Sequence, residues 1–283
     1  MMVFDFILLP LLACLLLVLL NVYFGIHVIR REIIFIDIAL AQIAAFGSTV
    51  ALVLFEPSGA GSGAGAISMD LLAYFFSIAF VGIAAYFFSL FQHREIGVPL
   101  EAIIGITYAL ATCAAVIILD ASAGADIHVH DMLVGSILWV AWHDIVLLVV
   151  LVVLIGGFHL IYRRQFIQLS EAYGNTNKTP KHPKKWDFLF YFTLGLFIIQ
   201  AVHVAGILTV FALLIIPASI STLFSKGWWP RLWIGWLAGF AVIVTGLILS
   251  VEMDVPFSPV MIAILGAILL GGSILKRLLS KHV

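Results

Sequence analysis

Four residues in one polar stretch have the side chains and the spacing of a transient metal site. They are Asp126, His128, His130 and Asp131, and the two histidines stand two positions apart. In an extended loop, residues i and i+2 project to the same side of the chain. Two imidazoles placed in this way can hold a borderline divalent cation such as zinc, at about 2 Å from each nitrogen. The alternative interpretation is a plain polar loop that binds nothing.

Polar residues inside apolar segments form a second candidate set. Asp37 and Gln42 share one apolar segment, whereas His27 and His203 lie in two others. A charged side chain at membrane depth costs about 3 kcal/mol, so Asp37 must face protein, water or a partner. It could line an ion path together with the other three residues. It could instead pair with His27 or with the basic pair at 30–31, while Gln42 joins helices by hydrogen bonding.

The elements that must position these residues are membrane spans. Hydrophobic residues make up 64% of the 283-residue chain, charged residues make up 10%, and the mean hydropathy is +1.21. These values lie far outside the range of soluble domains. The chain is therefore predicted to be an all-α, polytopic transmembrane helix bundle, with residues 1–283 forming one domain. Because about 20 apolar residues cross the hydrocarbon as a helix, we expect eight to ten spans, and nine fit best. They lie near residues 5–29, 33–55, 70–91, 100–120, 143–162, 187–203, 205–224, 231–250 and 259–276.

The polar segment 163–186 sets the expected orientation of the bundle. It carries six of the fourteen Lys and Arg residues, and the positive-inside rule places such a short basic loop in the cytoplasm. With nine spans, all fourteen cations then fall on the cytoplasmic side, the N-terminus lies outside and the C-terminus lies inside. The outward side carries carboxylates, which either merely tolerate translocation or concentrate cations at the entrance. These are Asp5, Glu56, Asp70, Asp120, Asp126, Asp131, Asp144, Glu252 and Asp254.

Two further patterns predict local features of the helices. Residues 165–174, FIQLSEAYGN, predict a short cytoplasmic helix that ends at Gly174. Pro217 removes one backbone hydrogen bond within its span and predicts a kink. Gly206 marks a sharp turn at the other end of the same span. The helix between Gly206 and Pro217 is therefore the candidate for a moving gate.

A series of motifs, in this order along residues 25–275, resembles one known family. Each motif alone is weak, but the combination is specific. The motifs are Arg30 and Arg31 before the second span, FIDIALAQIAAFG at 35–47, EAIIG at 101–105, MLVGSIL at 132–138, VAGILTVFALLIIPA at 204–218 and GLILSVEMDVP at 246–256. Together they resemble the permease subunits of zinc and manganese ABC importers. Those permeases belong to the wider class of cobalamin- and siderophore-type importer permeases.

The resemblance implies a transport role in the cytoplasmic (inner) membrane of a prokaryote. It implies a permease subunit, not an enzyme, that carries a divalent metal ion, with zinc or manganese as the expected cargo. The implied partners are a second copy of the chain, a cytoplasmic ABC ATPase subunit that binds ATP, an extracytoplasmic metal-binding protein and membrane lipid. The chain itself is expected to bind no cofactor and no nucleic acid. No Gly-x-x-x-x-Gly-Lys-Ser/Thr phosphate loop occurs in it, so it cannot bind ATP by that route.

The family also implies roles for two sets of residues. Its ATPase-contacting helix falls on the predicted helix at 165–174, which assigns coupling to Leu169, Ser170, Glu171, Ala172 and Gly174. Its second span carries an Asp and, four residues later, a His that line the metal path. When the family's second span is aligned on Phe35 and Gly47, Ile38 and Gln42 stand at those two positions. Asp37 is then one residue away from the position of the family's Asp, which is about 100° around the helix.

Three explanations of that departure stay open. The metal passes without this pair, or Asp37 with a histidine elsewhere replaces it, or the cargo is a chelate or a different ion. A secondary carrier coupled to protons through Asp37 and the histidines is the rival class of function. Such carriers are often built from inverted repeats, and no repeat is recognisable in this sequence, which favours the ABC permease.

Overall fold

The structure is a computed structural model that describes residues 2–55, 64–92, 97–120, 137, 140–172 and 183–280. Within these ranges the chain forms ten α-helices and no β-strand. The helices are α1 (Met2–Arg30), α2 (Ile36–Phe55), α3 (Ala64–Phe91), α4 (Leu100–Asp120), α5 (Trp142–Ile161), α6 (Arg163–Glu171), α7 (Pro183–Ala205), α8 (Ile207–Phe224), α9 (Trp228–Met253) and α10 (Phe257–Ser280).

Nine of the ten described helices are long and apolar enough to cross a membrane, and only the nine-residue α6 is too short. This count equals the best prediction from the sequence, so the all-α polytopic bundle is confirmed. The predicted bounds differ from the observed ones by a few residues at each end. The largest difference at one end is in α3, which begins at Ala64 where the prediction has residue 70; α7 begins at Pro183, so that helix extends past the apolar run into the basic segment.

The predicted helix breaks have different outcomes. α7 ends at Ala205 and α8 begins at Ile207, so the turn at Gly206 is confirmed; its φ of 77° is a conformation that only glycine adopts without strain. α8 continues through Pro217 to Phe224, and its role as a gate stays a prediction. α6 ends before Gly174. In its last turn the amide of Ala172 donates to Gln168 O at 2.9 Å, and Ala172 has a right-handed helical conformation, which requires no glycine. Gly174 itself lies outside the described residues.

The chain divides into two compact units, and the prediction of a single domain stays a prediction. Unit 1 comprises Met1–Glu32, Asp131–Ile161 and Gln200–Val283, and unit 2 comprises Ile33–His130 and Tyr162–Ile199. α7 therefore contributes to both. Each unit has its own buried helix contacts.

Unit 1 is built around α1, which packs against α5, α8 and α9. Small residues allow this approach: a Cβ added at Gly25 would meet the backbone oxygen of Leu214 in α8, and one added at Gly235 would meet Val22. In lipid, such close backbone contacts drive helix association, because apolar burial alone gives little net gain there. The α1, α8 and α9 contact is thus set by the positions of these glycines.

Unit 2 is built around α2, which packs against α3 and α4. Gly47 lies against the backbone of Phe76, and the hydroxyl of Ser77 donates to Ala44 O at 2.8 Å. The small-residue face that the sequence assigns to this helix is therefore used for packing. α2 also positions the two polar residues that the sequence singles out, Asp37 and Gln42.

Candidate translocation site and coupling helix

Asp37 occupies the first turn of α2 and is only 2% exposed. The backbone amides of Asp37 and Ile38 hold its carboxylate, and the positive end of the helix dipole favours the negative charge there. Its second oxygen, Oδ1, has no hydrogen-bond partner within the described ranges. A buried carboxylate oxygen without a donor costs free energy, so this atom is open to a ligand other than the described residues.

Gln42 lies deeper in α2 and is also buried. Its Oε1 is 3.4 Å from the hydroxyl of Thr112 in α4, and that hydroxyl also points to Tyr108 O at 2.9 Å. Because a hydroxyl has one proton, the bond to Tyr108 O is favoured and the contact with Gln42 is weak. Five positions separate Gln42 from Asp37, which places them about 140° apart around the helix. The two side chains do not form one ligand pair.

His27 lies at the centre of an aromatic cluster in unit 1. The ring of Tyr23 is 4.7 Å from that of His27, and the Tyr23 hydroxyl lies 3.0 Å from Nδ1 of His159 in α5. The ring of Trp228 lies 4.7 Å from His27 on another side. Arg31 is buried next to this cluster. A cation so close makes the two imidazoles poor ligands for a metal ion, so the cluster supports packing better than ion passage.

The other sequence-predicted path residues are spread over both units. His203 is exposed in the last turn of α7. His27 and His203 belong to unit 1, whereas Asp37 and Gln42 belong to unit 2. The pairing of Asp37 with His27 or with the arginines joins residues of different units and stays a prediction.

The structure adds polar residues that the sequence analysis missed. Asn21 in α1 is fully buried, and neither atom of its amide has a hydrogen-bond partner among the described residues; Nε2 of Gln200 in α7 is in the same situation. His159 was missed as well, although its position in the last turn of an apolar segment, next to Arg163, is a sequence signal. Asn21 and Gln200 are single amides in long apolar runs, which is the same signal that singled out Gln42.

The four loop residues proposed as metal ligands, Asp126, His128, His130 and Asp131, lie outside the described residues. Across the ranges that are described, no group of three or more His, Cys, Asp or Glu side chains is arranged to hold a metal ion. The loop site stays a prediction.

The short helix α6 has two distinct faces. Phe166 is buried against Trp186 and Phe190, with ring centroids 5.5 Å and 6.4 Å away, and Leu169, Ser170 and Ala172 are buried with it. The opposite face exposes Arg164, Gln168 and Glu171, which follow an i, i+4, i+7 pattern. Of the five residues proposed for coupling, the structure therefore places Glu171 on the surface. Three others, Leu169, Ser170 and Ala172, lie on the buried face. Gly174 is not described.

Comparison with known proteins identifies the family. The profile of the ABC 3 transport family matches residues 3–276. The chain belongs to this family. Among curated proteins it is 25% identical, over 184 residues, to a probable metal transport system membrane protein of Chlamydia trachomatis, and 27% identical, over 149 residues, to its counterpart in Chlamydia muridarum. These matches cover 64% and 52% of this chain, and the chain spans 60% and 50% of the lengths of those relatives.

Two solved structures share the fold of this ABC 3 family chain. PsaBC from Streptococcus pneumoniae, in complex with Fab, superposes with a TM-score of 0.71 at 18% identity, covering 94% of this chain and 90% of the other. A transporter assigned to the metal-chelate ABC type, in an inward-facing conformation, superposes with a TM-score of 0.64 at 18% identity, covering 93% and 85%. The family match and the chlamydial relatives, together with this shared fold, confirm the resemblance to metal-type ABC permeases that the motifs indicated.

The ABC 3 family assignment makes the departure in α2 more informative. Ile38, at the first position of the family's metal pair, is half-buried, and Gln42, at the second, has only the weak contact with Thr112. Ile38 has no ligand atom and an amide oxygen is a poor zinc ligand. The buried carboxylate next to them, Asp37, is the one strong ligand that this turn of α2 offers.

Proposed function

We propose that the chain is the permease subunit of an ABC importer that carries a divalent metal ion, with zinc or manganese as the expected cargo, across the cytoplasmic membrane of a prokaryote. The observation that supports this most strongly is the ABC 3 family match over residues 3–276, which covers all nine candidate spans almost completely. The names of the chlamydial relatives and the likeness to PsaBC agree with a metal cargo.

The proposed energy source is ATP hydrolysed by a separate subunit. The chain carries no phosphate loop of the Walker A type. It does offer the cytoplasmic helix α6, which is anchored through Phe166 and exposes Arg164 and Gln168. A short helix held rigidly on its own unit, with a polar outer face, suits docking into a groove on an ATPase. We place coupling on that outer face, including Glu171, with Leu169, Ser170 and Ala172 fixing the helix.

The proposed assembly has two copies of this chain, two ATPases and an extracytoplasmic metal-binding protein. The outward ends of the spans carry exposed acids, among them Glu252 and Asp254, and the charge pattern assigns no Lys or Arg to that side. A delivery protein that docks there is therefore expected to present Lys or Arg around its docking rim. Rim charges of this kind act chiefly on the association rate.

A metal chelate is the second candidate cargo. Two observations favour it: the positions of the family's metal pair carry Ile38 and Gln42, and one of the similar structures belongs to a metal-chelate type transporter. A chelate brings its own ligands, so its passage does not require a strong protein ligand in α2.

Uptake into proteoliposomes tests these proposals together. The chain is reconstituted with its cognate ATPase subunit and metal-binding protein, and uptake of radioactive zinc or manganese is compared with uptake of the same metal as a chelate. ATP-dependent uptake of the free ion supports the first proposal, and uptake of the chelate alone supports the second. Uptake that persists with an ATPase subunit unable to hydrolyse ATP and follows an imposed proton gradient contradicts both, and indicates a secondary carrier.

A further inference from the structure

Asn21 is a polar residue in the middle of unit 1 whose amide has no partner in the described part of the chain. Both Oδ1 and Nδ2 lack a hydrogen bond there, and the residue is 0% exposed. Since no part of Asn21 is exposed, water does not reach the amide in this conformation. Inside a membrane an unsatisfied amide is strongly unfavourable. A second conformation in which this amide finds a partner therefore removes a substantial cost.

Pro217 creates a matching acceptor in α8. The helix continues from Ile207 to Phe224 through Pro217, and proline has no amide hydrogen. The carbonyl oxygen of Leu213, four residues earlier, therefore lacks the donor that a regular helical turn supplies. In membrane helices, carbonyls freed by proline are satisfied by side chains of neighbouring helices or by ordered water.

The contact at Gly25 brings α1 to this turn of α8. Gly25 lies one turn after Asn21, about 6 Å along α1 and about 40° around it. A Cβ added at Gly25 would meet the backbone oxygen of Leu214. Leu214 follows Leu213 directly, so the backbone of α1 already touches the residue next to the freed carbonyl.

The contact at Gly239 brings the two helices together on the other side of Asn21. A Cβ added at Gly239 of α9 would meet both the side chain of Val18 and the ring of Pro217. Val18 lies about one turn before Asn21 in α1. The unpaired amide is therefore placed between two points at which α1 reaches the turn that Pro217 interrupts.

The two ends of α8 are attached to α10, so a change in its shape is confined to its middle. Near the start of α8 the hydroxyl of Thr209 donates to that of Ser258 at 2.6 Å, and at its end Nζ of Lys276 donates to Leu223 O. A helix bends most easily where a proline removes a bond. In α8 that position is the turn from Leu213 to Pro217.

We propose that Asn21 donates, through Nδ2, to the carbonyl oxygen of Leu213 in a second conformation of unit 1, and that α8 changes shape at Pro217 by making and breaking this bond. The structure shows the conformation in which the bond is broken. Asn21 is thus a positioning residue for the middle of α8, the helix that the sequence marks as the candidate gate. The bond itself does not depend on the cargo.

NMR of the full chain in lipid nanodiscs tests the bond. Selective ¹⁵N labelling of asparagine gives few side-chain amide signals, because the chain contains only Asn21, Asn175 and Asn177. Asn21→Leu assigns its signal by removing it. Spectra of the wild type are compared with those of Pro217→Ala, which returns the missing amide to α8. Pro10→Ala is the matched control, since Pro10 also lies inside a helix, about three turns from Asn21 in α1.

The Asn21 signal of the wild type is expected to be broadened by exchange between the bonded and unbonded amide, on the timescale of microseconds to milliseconds. In Pro217→Ala the carbonyl of Leu213 is bonded within its own helix. The exchange broadening is therefore expected to be lost, and the signal is expected to shift to the upfield position of an unbonded amide. Pro10→Ala is expected to change neither its position nor its width.

Uptake into proteoliposomes gives a second readout, which rests on the proposed function. Asn21→Leu and Pro217→Ala are each expected to lower ATP-dependent uptake about fivefold, the effect of one hydrogen bond. The double variant is expected to transport no more slowly than either single variant, because both remove the same bond. If the wild type transports nothing, the proposed function fails, whereas the NMR comparison still decides on the bond.

Thermal unfolding of Asn21→Leu serves if Pro217→Ala folds poorly. Leucine has nearly the shape of asparagine and removes the unpaired amide, so the midpoint is expected to stay unchanged or to rise. A clearly lower midpoint means that Asn21 has a permanent structural partner and overturns the proposal.

Three other results also overturn it. A narrow Asn21 signal that Pro217→Ala does not move shows that no such bond forms. Equal shifts in Pro217→Ala and Pro10→Ala show a general response of α1 to proline replacement. Amide protons of Asn21 that exchange with solvent as fast as those of Asn175 and Asn177 show that water, and not the carbonyl of Leu213, is the partner.

Discussion

Buried polar groups are bonded differently in two regions of the molecule. One region is the set of helix contacts of α1, α8, α9 and α10 in unit 1, and the other is the α2–α4 contact in unit 2. In unit 1, Thr209 of α8 donates to Ser258 of α10 at 2.6 Å, and Tyr23 of α1 meets His159 of α5 at 3.0 Å. In unit 2, the contact between Gln42 and Thr112 is 3.4 Å long, and Oδ1 of Asp37 has no partner within the described ranges. The pairs Thr209–Ser258 and Tyr23–His159 thus join helices in the first region, whereas the second region contains the weakly held Gln42 and the available Oδ1 of Asp37.

The two regions can also be compared by how closely helices approach each other at their glycines. α1 and α8 approach until the backbone of one meets the other at Gly25, as α2 and α3 do at Gly47, whereas Gly105 of α4 has open space around it. Close-packed helices with paired polar groups form a rigid body, and unpaired polar groups in a looser contact can take a ligand. We therefore propose that the α1, α8 and α9 contact supports the fold and that the polar face of α2 serves passage. Asn21 and Gln200, whose buried amides have atoms without a partner among the described residues, are exceptions in unit 1.

The largest effect is expected at Gly25. Gly25→Ala places a methyl group against the backbone oxygen of Leu214, which cannot rotate away, so the helices must separate. Overpacking of this kind costs about 3 kcal/mol or more, when the obstacle is backbone. The measurement is the yield of monodisperse protein by size exclusion and the midpoint of its thermal unfolding, both of which should fall sharply.

Gly105→Ala is the matched control, because both glycines are helical and the new methyl group at 105 meets nothing. Alanine there is expected to leave stability unchanged or to raise it by up to about 1 kcal/mol. A Gly25→Ala variant as stable as the Gly105→Ala variant would contradict the rigid α1–α8 contact.

The second effect concerns Asp37. Because one carboxylate oxygen has no donor among the described residues, Asp37→Asn should preserve the folded yield and lower the metal uptake rate by about tenfold, equivalent to about 1.4 kcal/mol. Uptake into proteoliposomes with the ATPase and the metal-binding protein measures the rate, and size exclusion measures the yield. Lost yield with an unchanged rate per folded molecule would show that Asp37 is a structural partner of another residue.

Asp144 provides the comparison for that test. Its Oδ2 accepts the amide of Ala141 at 3.1 Å, and its Oδ1 lies 3.2 Å from His143, so both oxygens are engaged at the start of α5. Asp144→Asn is expected to cost about 1 kcal/mol of stability, as the loss of a helix cap does, without changing ion preference.

The sequence predicts the nine spans well because each is a long apolar run, and a helix is the only way for such a run to satisfy its backbone in lipid. The break at Gly206 is likewise local. The orientation of α6 was also available from the sequence, since Phe166, Leu169 and Ser170 follow the i, i+3, i+4 pattern of a buried face. The contact of Gly25 with the backbone of Leu214 was not, because about 190 residues separate them and no local pattern encodes that contact.

The third effect tests whether coupling depends on the exposed face of α6 or on its buried face. Arg164→Glu with Gln168→Glu changes the exposed face only, so the permease should fold while coupled uptake falls about fivefold, equivalent to about 1 kcal/mol of docking free energy. ATP hydrolysis by the assembled complex should lose its stimulation by the metal-binding protein. Both rates are measured in the same proteoliposomes.

Leu169→Asp shows the contrast on the buried face. Leu169 is 4% exposed, and a charge there has no partner to compensate it, so folded yield should fall instead. If the exposed double variant transports normally while Leu169→Asp folds and uncouples, the buried face, and not the exposed one, contacts the ATPase.

The smallest effect is expected at Thr112, and it gives the most direct test of the difference between the two units. Thr112→Val keeps the shape of the side chain and removes only the weak 3.4 Å contact with Gln42 and a bond to its own helix, so stability should change by at most about 0.5 kcal/mol. Thr209→Val is the same substitution in unit 1, where it leaves the buried Ser258 hydroxyl without its 2.6 Å partner and should cost about 1–3 kcal/mol. Thermal unfolding of the two variants in the same detergent measures the difference. Equal losses would mean that the contact of Gln42 with Thr112 is as structural as that of Thr209 with Ser258, and Gln42 would then not be free to bind a passing ion.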